Sequence, residues 1–159
     1  MVFLALLCAT APVARAQEVG LPIGTVPELV ALEDLEGNPV ELAQYAGKPM
    51  LLEFWATWCP LCRALQPRLD AAYERYGDRV TFVVVAVGVN QSPRSIRRHL
   101  ERHPLPYPVL WDGRGRAVRA FMAPTTSYMV ILDAEGRVAY TGSGGDQEIA
   151  AALARVVGE

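Results

Sequence analysis

Residues 50–55 read Met-Leu-Leu-Glu-Phe-Trp, and four residues later the chain reaches Cys59-Pro60-Leu61-Cys62. The run is apolar at both odd and even positions except at Glu53. A run without alternation suits a strand covered on both faces. Leu61, Leu65, Leu69, Ala72, Tyr73 and Tyr76 then recur at helical spacing, so the strand feeds directly into a helix. Pro60 is tolerated in the first turn, whereas Pro67 is interior and is expected to kink the helix. Val80 to Val87 follows as a second buried strand. Two buried strands joined by a helix call for a sheet sandwiched between helices, and this limits the chain to an α/β architecture.

The remaining segments extend that frame. Leu29 to Leu32 and Val40 to Leu42 flank Glu36-Gly37-Asn38-Pro39 and read as short turn-linked strands. Ser92-Pro93 opens a helix with Ile96 and Leu100 facing inward. Tyr107 to Leu110 reads as a short strand and Ala117 to Met122 as a short helix. Tyr128 to Leu132, the turn Asp133 to Gly136, and Arg137 to Thr141 form a hairpin. Asp146 is expected to cap a last helix carrying Ile149, Leu153, Val156 and Val157 on one face. The expected fold is a central mixed sheet with helices on both faces and an N-terminal hairpin extension, formed by residues 28–159 as a single domain.

Composition bounds the function. With 52% hydrophobic and 20% charged residues the chain is of the folding kind, and a net charge of −2 argues against nucleic-acid binding. Residues 2–14 are apolar but too short to span a bilayer, and Ala14-Arg15-Ala16 is a small-x-small site. Residues 1–16 therefore read as a secretory signal cleaved after Ala16, with residues 17–27 as an extended lead-in. No Lys or Arg precedes the apolar run. The alternatives are a start further upstream or a segment retained as a weak anchor. Bulky Leu6 and Leu7 disfavour a lipoprotein site at Cys8. Cleavage leaves 14 basic against 17 acidic residues, and only Cys59 and Cys62 of the three cysteines. One close-spaced pair in an exported chain is not a stapled scaffold, so its role is read as chemical.

A thiolate, not a thiol, is the reactive form, and the unpaired N–H groups of a helix N-terminus favour the anion. Cys59 sits where the helix begins. Cys62, at i+3, lies on the same face within disulfide reach. Cys59 is expected as the exposed attacking sulfur, and Cys62 as the sheltered one that resolves the mixed disulfide. The rival is half of a metal site. Zinc needs four ligands, and the only other close pair is His99 and His103 on an arginine-rich helix. The redox reading is preferred. The arginines Arg94, Arg97, Arg98 and Arg102 read as a solvated face.

With these residues in view, Glu53-Phe-Trp-Ala-Thr-Trp-Cys-Pro-Leu-Cys62 resembles the active site of the thioredoxin superfamily. Leu35 to Leu42, Gly47-Lys48-Pro49 and the Trp-Ala-Thr-Trp-Cys form resemble its exported TlpA/ResA-like branch. The resemblance covers roughly residues 20–157. It implies a thioredoxin fold, thiol–disulfide exchange outside the cytoplasm, and no cofactor or resident metal. It implies client-protein cysteines as substrate, cytochrome c maturation clients among them, an upstream membrane electron donor, and a monomer. Pro67 matches the family's kinking proline. Glu53 lies where the family carries a buried acid, which implies proton exchange with Cys62. Trp58, Pro60 and Leu61 are expected to present the substrate-facing surface and tune the redox poise.

One part departs from the pattern. The family places a cis-proline opposite the cysteines. Pro124 is the nearest proline, but it requires an insertion before Asp133. An ungapped match from Phe121 to Asp133 puts the position on Ser127, preceded by Thr126, and a cis bond there would cost roughly 3 kcal/mol, which favours trans. Loss of that proline would weaken both substrate grip and metal exclusion. It is the main support for an alternative reading, a copper-type metal-handling protein using the same thiols.

Overall fold

The computed structural model describes residues 20–159, so the expected signal segment, with Cys8 and Ala16, lies outside the described residues. In chain order the strands are β1 (Ala31–Glu33), β2 (Pro39–Glu41), β3 (Met50–Trp55), β4 (Thr81–Val87), β5 (Val109–Asp112), β6 (Tyr128–Leu132) and β7 (Val138–Gly142). The helices are α1 (Pro60–Tyr76), α2 (Pro93–Leu100), α3 (Arg116–Ala120) and α4 (Ile149–Val157), with a 3-10 turn at Leu42–Tyr45.

The strands form one mixed sheet of seven in the order β2-β1-β5-β4-β3-β6-β7. β3, β4 and β5 run parallel, while β6 is antiparallel to β3, β7 to β6, β1 to β5 and β2 to β1. β3 therefore has a partner on each edge, and all six of its residues are buried, as its unbroken apolar run requires.

Chain connectivity decides which face each helix covers. The steps β3–α1–β4 and β4–α2–β5 move the same way across the sheet, so right-handed crossovers place α1 and α2 on one face. α3, in the return from β5 to the antiparallel β6, lies on the opposite face, as its packing shows. Packing agrees. Tyr73 of α1 meets Phe82 of β4 at 5.3 Å between ring centroids, and Trp55 meets His99 of α2 at 5.5 Å. Phe121, just past α3, packs on Phe54 at 5.9 Å. Successive strand residues point to opposite faces, so Glu53 and Trp55 share the α1–α2 side while Phe54 faces α3. α4 lies beside α1, joined by ion pairs from Arg75 to Glu159 at 2.7 Å and from Arg68 to Glu148 at 3.3 Å.

The lead-in packs onto the sheet. Gly24 N–H donates to Val138 O at 2.7 Å, and Val138 N–H donates to Thr25 O at 2.8 Å. Leu21 N–H donates to the Tyr128 hydroxyl at 3.1 Å. A Cβ at Gly20 would overlap that hydroxyl, and the residue sits at φ +92, so only glycine fits there.

Three local expectations are corrected. β5 begins at Val109, not Tyr107. The ring of Tyr107 is drawn into the cluster with Phe82 and Tyr73, and Pro108 has no N–H to give a ladder. The strand also runs on to Asp112, whose buried carboxylate accepts from Arg116 N–H at 2.6 Å and Val118 N–H at 2.9 Å, fastening α3. Asp146 does not cap α4. That helix starts at Ile149 with Glu148 at the cap position and no side-chain bond there. The preceding Gln147 turns inward instead, its amide bonding the Ser127 and Gly144 carbonyls, each at 2.9 Å. The expected start of α2 is matched: Ser92 and Ser95 form a reciprocal capping box, Ser95 N–H to Ser92 Oγ at 3.3 Å and Ser92 N–H to Ser95 Oγ at 2.9 Å.

Phe54 is fully buried between Phe121 and Tyr128. Phe54→Ala is expected to lower stability by about 3–5 kcal/mol in urea titrations, with the midpoint shifted and the slope unchanged.

Candidate active site

β3 delivers the chain to the start of α1, and Cys59 occupies the cap position of that helix. Its φ of −77 and ψ of 111 are extended, and its sulfur accepts the Cys62 N–H at 3.0 Å. The sulfur thus stands where a Ser or Asp oxygen usually caps a helix, facing the unpaired donors of the first turn. The Cα atoms of Cys59 and Cys62 are 5.3 Å apart and the two sulfurs are bonded as a disulfide. In the reduced protein the same N–H and the helix dipole would favour a Cys59 thiolate.

Burial corrects one expectation. Cys59 is only 1% exposed and Cys62 0%, so in the disulfide state neither is an open sulfur. The exposed surface belongs to the neighbours, Trp58 at 43% and Leu61 at 49%. The Trp58 indole Nε1–H donates to Val89 O at 2.9 Å, which ties the tryptophan to the loop after β4. Pro60 is the first residue of α1, where its missing N–H removes a donor that would have no helical partner.

Two side chains that sequence reasoning missed hold this turn in place. Gln91 accepts the Thr57 N–H at 3.0 Å and donates to Val87 O at 2.8 Å and Trp55 O at 3.4 Å. It therefore clamps the residues before Cys59 to the end of β4. Gln147 does the equivalent for the facing loop. Besides its bonds to Ser127 and Gly144, its Oε1 accepts from the Tyr140 hydroxyl at 3.2 Å. Neither glutamine sits in a local motif, and their partners lie up to 36 residues away, so only the fold reveals them.

Ser127 is fully buried just before β6, at φ +62. Its N–H donates to Phe54 O at 2.7 Å, and its Oγ accepts the Gly144 N–H at 3.2 Å. The Gly144–Gly145 turn in turn packs on the first turn of α1, where a Cβ at Gly145 would lie 2.8 Å from Ala64 Cβ and 3.3 Å from Leu61 O. Ser127 is thereby joined to the cysteine turn through one loop. No peptide bond among the described residues is cis, so the Thr126–Ser127 bond is trans. The left-handed φ at Ser127 reverses the chain here, a conformation unfavourable for a residue with a side chain and sustained by its three hydrogen bonds. Pro124 is exposed, Thr126 half-buried.

Glu53 lies in the middle of β3, fully buried, and neither carboxylate oxygen has a hydrogen-bond partner among the described residues. Burial alone pushes its pKa up to about 8, because removing the carboxylate from water penalises the charged form. At neutral pH it is therefore mostly a neutral acid. Tyr107 stands near it on the same side, buried, accepting the Gln66 amide at 2.8 Å, with its phenol also pushed up by burial.

A groove of about 530 Å³ opens beside Cys62 between α1 and α2, with Trp55 as its inner wall. His99 and His103 line it, their rings 4.8 Å apart. Burial lowers the His99 pKa, and the nearby charges of His103, Arg102 and Arg63 lower it further. The sequence marked these histidines only as metal ligands. Among the described residues no group of three or more His, Cys, Asp or Glu is disposed to hold a metal ion.

The Redoxin family model matches residues 18–156. The chain is 33% identical over 122 residues to the thioredoxin-like protein YneN of Bacillus subtilis, covering 76% of this chain and 71% of YneN. It is 28% identical over 117 residues to the thiol-disulfide oxidoreductase ResA of Halalkalibacterium halodurans, covering 74% of this chain and 66% of ResA. The chain thus spans about two thirds of the length of these relatives. In fold it is similar to a secreted Mycobacterium tuberculosis disulfide oxidoreductase homologous to E. coli DsbE, with a TM-score of 0.69 at 24% identity, covering 80% of this chain and 96% of the other.

The Glu53 shift carries a stability consequence. Its pKa rises from 4.5 to about 8 on folding, so between those values the unfolded chain has released the proton and the folded one has kept it. Stability contributed by the neutral carboxyl is present below the lower value, falls as pH rises through the window and levels off above it. Urea titrations between about pH 5 and 9 should show Glu53→Gln gaining on the wild type as pH rises, by several kcal/mol at the alkaline end. A constant difference across that range would count against a buried neutral acid.

Proposed function

The chain belongs to the Redoxin family, on the ResA-like side of the thioredoxin superfamily, and from that premise we propose how its cysteine pair works. It is a disulfide oxidoreductase that exchanges the Cys59–Cys62 disulfide with cysteines of client proteins. The observation that carries this reading is the cap geometry, a cysteine sulfur receiving the N–H of its partner cysteine at the head of α1.

In the reducing direction the Cys59 thiolate attacks one sulfur of a client disulfide. A mixed disulfide forms and the first client thiolate leaves. Cys62 then gives its proton to the Glu53 carboxylate, and its sulfur attacks the Cys59 side of the mixed disulfide. The Cys59–Cys62 bond forms and the second client sulfur departs as a thiolate, so two electrons pass to the client. A carboxyl with a pKa of about 8 is close to a free thiol at roughly 8.5. Proton transfer between them is nearly balanced, so Glu53 serves either direction. Trp58, Pro60 and Leu61 form the exposed rim on which a client docks. Thr126 and the exposed Pro124 present the facing wall, with Ser127 buried behind them holding the loop in place. The protein acts as a reductant, exported by its N-terminal segment, as a monomer fed by a membrane electron donor. Direction, export, client class and donor follow from the family resemblance. Among the described residues no helix is long and apolar enough to cross a membrane. The alternative, a copper-type metal-handling protein, would bind through the same two thiols alone, since among the described residues no third ligand joins them.

Cys62→Ser should accumulate mixed disulfides with clients on non-reducing gels, and Cys59→Ser should accumulate none. Equal trapping by both variants, or by neither, would overturn the assignment. The rate of client release from the mixed disulfide is expected to rise with pH towards about 8 as Glu53 ionises, and Glu53→Gln should remove that rise.

A further inference from the structure

The groove between α1 and α2 is lined by two arginines, Arg63 and Arg102, and two histidines, His99 and His103, none of them paired with an anion among the described residues. Arg63 reaches it from α1, and Arg102 and His103 from the turn that follows α2, with His99 deeper against Trp55. The one carboxylate on the rim, Asp70, instead accepts the Gln66 amide at 2.7 Å. Beneath the groove Glu53 adds little negative charge at neutral pH, because burial keeps it mostly protonated. The crowding is felt inside, since His103, Arg102 and Arg63 each push the His99 pKa down. Cys62 forms part of the same lining.

We propose that this groove is an anion subsite of the redox centre, receiving a carboxylate side chain of the client polypeptide placed beside the cysteine being reduced. The proposal rests on the disulfide-exchange reading and narrows its substrate class to client segments with Glu or Asp next to the reactive cysteine. Three features favour a peptide carboxylate. A volume of about 530 Å³ holds one or two side chains. Cys62 and Arg63 both line the groove, so an anion bound there lies beside the resolving member of the cysteine pair. The Trp55 ring and Leu105 offer apolar contact to the methylenes of the entering side chain. Arginine presents a planar fork that matches a carboxylate with two bonds, and the partial burial of the groove lessens screening by salt.

The test uses two synthetic peptides, each closed by one disulfide and differing only in Glu or Gln on both sides of one cysteine. Reduction by an excess of the pre-reduced protein is followed in a single turnover as a second-order rate constant. The Glu peptide should be preferred by about five- to tenfold, the scale of one partly screened ion pair, and the ratio should shrink as salt is raised. In Arg63→Gln/Arg102→Gln the ratio should fall to one. In Arg63→Glu/Arg102→Glu a Lys-flanked peptide should become the better substrate. Using the ratio removes any general loss of activity in the variants. An NMR titration of the unreactive Cys59→Ser protein gives an independent readout: the His99 pKa should rise when the Glu peptide is added and stay fixed with the Gln peptide. Reduction of both peptides at equal rates, or a preference that survives in the double variant, overturns the subsite and leaves disulfide exchange standing. Failure to reduce either peptide overturns the exchange reading, and the subsite with it.

Discussion

A carboxyl group sits in the middle of a six-residue buried strand with no polar partner among the described residues, and the site is arranged around that cost. An ionised Glu53 would be penalised heavily there, so the group stays protonated until about pH 8. Apolar surroundings alone tune it. β4 and β6 pair with both edges of β3, and α1 closes over the face that Glu53 occupies. Each of these elements keeps water away from the acid. Their combined burial converts an ordinary carboxyl into a group matched to a thiol.

The same strand determines where the cysteines fall. β3 ends at Trp55, Gln91 grips the turn, and α1 begins with Cys59 as its cap. The sulfur receives the N–H of Cys62, so one hydrogen bond joins the two members of the pair. Across the turn, Ser127 holds a left-handed conformation that its bonds to Phe54, Gly144 and Gln147 sustain. A trans peptide with a strained φ thus stands where the family resemblance leads one to expect a cis-proline.

Much of this was legible in the residues. The strand 50–55, the helix from Pro60, the hairpin around Asp133 to Gly136 and the Ser92 cap are local patterns of hydrophobic period and turn chemistry, and each forms as expected. The start of β5 and the cap of α4 were not legible. Tyr107 and Gln147 were drawn inward by partners distant in sequence, and those partners overrode the local signal. The exposure expected of Cys59 failed for a similar reason. A helix-start position is usually open, but here the tertiary surroundings leave it 1% exposed.

The residue pattern alone already favoured thiol exchange over a metal half-site, because a single Cys-x-x-Cys follows a buried strand at a helix start with no second close ligand pair but two histidines, and the resemblance of the surrounding motif pointed to the same reaction. It also placed Glu53 in an apolar run, where a raised pKa follows from burial. Tertiary structure decided what faces the pair. The right-handed crossovers that set α1 and α2 on one face brought Arg63 to Arg102, His99 and His103, and made a groove with two unpaired arginines beside Cys62. Residues about 40 positions apart meet there because of the handedness of chain connections, a property of the folded sheet that no local stretch of sequence encodes.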